Sequence, residues 1–190
     1  MSFKFRLKSI AFLLVASLLT GCVAAVVTGA VAGMVYDRRG VITMEADARL
    51  FHVIHKSIVT NRQFSDSRVI VTSFNRVVLL VGQTPTPSLR NLAEKIARGG
   101  PGVHRVYNEI SVGYPIPLTA RSKDSLITSQ VRTALLAKKG LESGSIRVVT
   151  ENRVVYLMGI VNDHQAALAV DAARRVNGVN KVVKIFQYIH

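Results

Sequence analysis

Cysteine occurs once in this chain, at Cys22, and tryptophan is absent. The lone cysteine excludes an internal disulfide even in an oxidising compartment, and its position near the start leaves no thiol for nucleophilic chemistry in the rest of the chain. Signature motifs of catalysis are missing too. There is no Gly-x-Ser-x-Gly elbow, no phosphate loop and no His-Glu-x-x-His. His52 and His55 stand three apart on the polar side of a helix-period stretch, where they could share a metal. No third ligand accompanies them, so solvated surface histidines are the expectation. His104, His164 and His190 are scattered. The reading is a binding module without a catalytic centre, cofactor or metal.

Acids are scarce: 11 Asp and Glu face 25 Lys and Arg, a formal net charge of +14. Lys4, Arg6 and Lys8 supply three of those positive charges, and both halves of the remaining chain keep a basic surplus. Such a surplus favours encounter with anionic partners. Nucleic acid is the usual one, but an exported chain does not meet it. Anionic lipid headgroups are the nearer polyanion.

Export is what the first residues indicate. A basic stretch, Met1 to Lys8, precedes the apolar run Ile10 to Leu19, and Leu19-Thr20-Gly21-Cys22 closes it. Basic, then apolar, then small residues is the layout of a secretory signal peptide, and the run is short of the about 20 residues a bilayer span needs. The closing tetrapeptide resembles a bacterial lipobox, which implies cleavage before Cys22, acyl chains on it and a membrane anchor. Val23, rather than Asp, after the cysteine favours the outer membrane by resemblance to the lipoprotein sorting rule. A rival reading stays open. The uncharged stretch after Cys22 runs on to Tyr36, so Ile10 to Tyr36 is long enough for an uncleaved anchor. Either way the folded part is tethered. The expected layout is a signal peptide over 1–21, a lipidated tether over 22–40, and folded units over 41–113 and 119–190.

Those two units repeat one another. Asn75-Arg76-Val77-Val78-Leu79-Leu80-Val81-Gly82 returns as Asn152-Arg153-Val154-Val155-Tyr156-Leu157-Met158-Gly159. Downstream, Gly102-Val103-His104-Arg105-Val106 matches Gly178-Val179-Asn180-Lys181-Val182, and upstream Ser67 to Thr72 matches Ser145 to Thr150 with a one-residue slip. Tandem domains of roughly 70 residues suit that period. Each reads as helix, strand, strand, helix, strand. Leu50, Val53, Ile54 and Ile58 form the first helical stripe, and Ile127, Val131, Ala134 and Leu135 form its counterpart. A tight turn is expected at Phe74-Asn75 and at Glu151-Asn152, where Asn75 and Asn152 read as turn formers. Gly82 and Gly159 are expected to end the second strand, at a bend or a close backbone approach. Second helices are expected over about Ser88–Arg98 and Asp163–Val176, and last strands over Arg105–Val112 and Lys181–Ile189. Pro115 and Pro117 stiffen the connection. The fold class is α+β, with a small mixed three-stranded sheet packed on two helices in each repeat.

One helix, from about Asp124 to Lys138, carries more than a core stripe. At 100° per residue, with Ile127 at 0°, Leu136 falls at about 180° and Leu126 at about 260°. Ser129, Gln130, Arg132 and Thr133 lie between or beside these leucines, and Lys138 and Lys139 follow at the helix end. Apolar side chains among cations suit insertion at an anionic headgroup boundary. Alternatively, the first repeat or the tether covers Leu126 and Leu136.

The αββαβ order, the Val-rich hairpin ending at Gly82, Val106-Tyr107-Asn108-Glu109-Ile110 and Val148-Val149-Thr150-Glu151-Asn152 resemble the BON domain. Two such repeats behind a lipobox are similar to the outer-membrane lipoproteins of that family. The resemblance implies support of outer-membrane integrity and binding of anionic phospholipid such as phosphatidylglycerol by the first helix of the second repeat. Family members often carry an aromatic where Leu126 stands, so insertion is expected to be weaker here. The other reading is a protein-interaction module that docks on the outer-membrane protein assembly machinery or a division-site partner.

Overall fold

The computed structural model describes residues 37–189. Cys22, the signal peptide and most of the expected tether lie outside them. From Tyr36 onward the chain clusters as one compact unit, with three apolar cores among its described residues.

Repeat one contains α1 (Val41–Val59), β1 (Arg68–Phe74), β2 (Val77–Thr84), α2 (Pro87–Arg98) and β3 (Arg105–Val112). Repeat two contains α3 (Leu118–Ala137), β4 (Ile146–Glu151), β5 (Val154–Val161), α4 (Asp163–Arg174) and β6 (Lys181–Tyr188). The αββαβ order is therefore the observed one. In each sheet the second strand is central, antiparallel to the first and parallel to the third. The parallel pair requires a crossover, which α2 and α4 provide. Both crossover helices start on a side-chain cap: Thr86 accepts from the N–H of Leu89 and Asn162 from that of Gln165. Pro87 follows its cap, where a missing N–H is harmless.

Leu50, Ile54 and Ile58 are buried along α1, as Ile127, Val131 and Leu135 are along α3. Val53 departs from the expected stripe: it lies one residue off and is exposed. The stripes pack on Val71, Val78 and Leu80 in repeat one and on Val148, Val155 and Leu157 in repeat two.

Alternate residues of the central strands point the other way. Val77, Leu79 and Val81 meet Tyr156, Met158 and Ile185 in a third core made by both repeats. The two sheets therefore pack face to face, with helices outside. That accounts for central strands whose apolar runs are continuous rather than alternating. Polar contacts rim this core. Arg68 donates to both carboxylate oxygens of Glu151 at 2.6 and 2.7 Å, Gln83 donates to Glu151 at 2.8 Å, and Asn75 donates to Gln187 at 2.7 Å.

Three sequence expectations are corrected here. The hairpin turns centre one residue later, on Asn75-Arg76 and Asn152-Arg153, and all four residues have positive φ. Buried aspartates account for the shift. Asp47 accepts from the N–H groups of Asn75 and Arg76 at 2.7 and 2.8 Å, and Asp124 accepts from those of Asn152 and Arg153 at 2.7 and 2.9 Å. The supposed slip between repeats vanishes, because Val69 pairs with Gly82 just as Ile146 pairs with Gly159. Neither glycine ends its strand; β2 continues to Thr84 and β5 to Val161. What they do is admit the neighbouring strand. A Cβ at Gly82 (φ 123°) would collide with the backbone oxygen of Arg68, and one at Gly159 would lie 2.7 Å from that of Ser145.

Candidate functional site

Helix α3 begins at Leu118, six residues before the expected start, directly after Pro117 and without a side-chain cap. Asp124 resembles a helix opener in sequence, yet it sits mid-helix on the buried side and serves the β4–β5 turn. The added turns matter for the outer face. Leu118 is 18 residues before Leu136, five full turns at 3.6 residues each, so the two share one line about 27 Å long. Leu118, Leu126 and Leu136 are 74%, 58% and 62% exposed. Leu118 was missed by sequence reasoning because two prolines precede it; the signal that would have found it is the 18-residue spacing to Leu136.

Between these leucines the face is less polar than its composition suggests. The hydroxyls of Ser122, Ser125 and Thr133 donate to the carbonyls of Leu118, Arg121 and Ser129, one turn back. Hydroxyls bonded to their own helix lose less on leaving water than free ones. Ser129, Gln130, Arg132 and Lys139 are exposed. Lys138 is half-buried and engaged: its ammonium donates to Asp171 at 3.0 Å, which ties α3 to α4. Asp171 also takes Arg174 and Arg175, and the hydrogen bonds from Lys138 and then these arginines hold its carboxyl far below the usual carboxylate range. Lys138 is thus part of an ion cluster, apart from the exposed cations. The one carboxylate on α3, Asp124, is buried, so the outer face carries no acid.

Repeat one offers a contrast at equivalent positions. Val41 and Val59 replace Leu118 and Leu136, but Arg49 replaces Leu126 and pairs with Glu45 at 2.7 Å. Its helix therefore presents an exposed carboxylate where α3 has none.

Beside Leu126 lies a groove of about 380 Å³, lined by Lys123, Leu126, Ile127, Gln130, Arg153, Asn177 and Gly178. Elsewhere, His52 and His55 both lie against Phe51, with His55 stacked on its ring at 5.2 Å. Among the described residues, no three His, Cys, Asp or Glu side chains converge as a metal site. No described helix is long and apolar enough to cross a membrane.

A family model described as the BON domain matches residues 46–114 and 123–189. The chain is 38% identical over 187 residues to a Haemophilus influenzae protein named outer membrane lipoprotein DolP, covering 96% of this chain and 97% of that one. It is 40% identical over 124 residues to the 21 kDa hemolysin of Actinobacillus pleuropneumoniae, covering 65% and 64% of the two chains. Similarity to osmotically-inducible protein Y of Escherichia coli reaches 27% over 139 residues, 72% of this chain and 69% of that protein.

Proposed function

The chain belongs to the BON-domain family, with two copies in tandem, and from that premise we propose that it is a non-catalytic outer-membrane lipoprotein whose second BON domain docks on anionic phospholipid through the outer face of α3. Its anchor is Cys22, its folded part faces the periplasm, and its role is the support of outer-membrane integrity. The name of the Haemophilus relative supports the location and the anchor, as does the lipobox-like Leu19-Thr20-Gly21-Cys22.

One observation carries the docking reading: three exposed leucines on one acid-free helix face, with internally bonded hydroxyls between them. Apolar insertion supplies part of the affinity. Exposed Arg132 and Lys139 supply the rest, each on the order of 1 kcal/mol near an anionic surface.

Vesicle flotation with the chain from Tyr36 onward tests this reading without the anchor. Vesicles containing phosphatidylglycerol should retain the protein, phosphatidylcholine alone should not, and added salt should release it. Leu126→Glu with Leu136→Glu should abolish retention. Full retention by that double variant would remove α3 as the docking face; a pull-down of the outer-membrane protein assembly machinery that survives the two substitutions would favour a protein partner.

A further inference from the structure

A turn with left-handed backbone at both central residues takes Asn-Gly by preference, because a side chain at the second position is strained. Both hairpins here carry Asn-Arg instead, with φ of 62° at Arg76 and 64° at Arg153. Strain held at a defined place invites a functional account. The two arginines differ in what surrounds them. The guanidinium of Arg76 is exposed and makes no hydrogen bond among the described residues. That of Arg153 is held, with Nε donating to the carbonyl of Gly178 at 2.9 Å, and its terminal nitrogens left unengaged in the wall of the groove beside Leu126.

Lys123 also lines this groove, and the amides of Gln130 and Asn177 complete the polar lining. No carboxylate lines this groove, since Asp124 is buried and spent on the turn amides. At the equivalent positions of repeat one stand Ala46, Val53 and Pro101 for Lys123, Gln130 and Asn177. The polar set is therefore a property of the second repeat alone.

We infer that Lys123 and Arg153, with Gln130 and Asn177, form a binding site for the phosphodiester headgroup of an anionic membrane lipid, so that the β4–β5 turn is a second point of membrane contact beside α3. The inference rests on the reading that α3 docks on an anionic bilayer, and it adds where the headgroup sits. Two guanidinium nitrogens free to donate match phosphate oxygens, and Leu126 at the groove edge adjoins the acyl region.

Flotation of the chain from Tyr36 onward on phosphatidylglycerol vesicles, with thermal melting alongside, tests it. Arg153→Gly removes the cation and relieves the backbone, so the melting temperature should rise while affinity drops about fivefold to tenfold. Arg76→Gly should raise the melting temperature and leave affinity unchanged. Lys123→Gln, at an exposed helix position, should weaken binding as Arg153→Gly does without touching the turn. Excess glycerol 3-phosphate at constant ionic strength should leave binding intact. Equal affinities for wild type, Arg153→Gly and Lys123→Gln would overturn the headgroup site while α3 docking stood, as would equal losses for Arg153→Gly and Arg76→Gly. Displacement by glycerol 3-phosphate would mark a soluble phosphate-ester site and overturn the membrane assignment. A wild-type chain that ignores the vesicles would overturn both readings.

Discussion

Asp47 and Asp124 do the same work in the two repeats, yet neither is placed where local preference would put an aspartate. Each lies inside a helix, on the buried side, and reaches across to close a strand turn. A carboxylate that accepts two backbone N–H groups forms charge-assisted bonds, roughly twice as strong as neutral ones. Asp124→Ala should therefore destabilise the protein by about 2–4 kcal/mol, read from urea unfolding. Asp47→Ala should cost more, because Arg39 and Ser73 also donate to that carboxylate. Equal midpoints for Asp124→Ala and wild type would mean that the turn closes without it. Sequence periodicity had no way to show this role, since the partners are 28 residues or more away and meet only in the folded repeat.

At the scale of elements, the crossover helices and the first helices are begun by different means. Thr86 and Asn162 cap α2 and α4, whereas Gly40 and Pro117 precede α1 and α3 with no side-chain cap. Substitution of Asn162 by Ala should cost about 1 kcal/mol and fray the first turn of α4 in amide exchange; an unchanged exchange pattern would show the cap to be redundant. The difference also decides how well each helix could be read. α2 and α4 start within a residue of their expected positions. α3 starts earlier than expected, and the missing turns hold Leu118. Its inward stripe was legible because Ile127, Val131 and Leu135 recur at helical spacing. The exposure of Leu126 and Leu136 followed from the same wheel, since residues set opposite a buried stripe face outward unless something covers them.

At the scale of the molecule, the sheets close on each other, and Tyr156 is buried in that contact. Burial, and then the carboxylates of Glu109 and Glu151, push its hydroxyl up to about 12. A phenol raised above its unfolded value of about 10 favours the folded state fully below that pH. The contribution is lost as pH rises through about 12. The urea midpoint should therefore fall between these limits, and Tyr156→Phe should flatten the fall. A decline of the same steepness in the variant would locate the alkaline sensitivity elsewhere.

By itself the sequence determined the repeat, the order of elements, the inward stripes of the helices apart from Val53, and the need of Gly82 and Gly159 to lack a side chain. All of these are written in short-range spacing or in likeness between the halves. Only the tertiary structure decided that the two sheets share a core, that buried aspartates close the hairpins, and that Arg153 is held against Gly178 next to Leu126. Those outcomes depend on which surfaces meet after the chain has folded back on itself, and a linear pattern of apolar and charged residues carries the period of an element but not the identity of its distant partner.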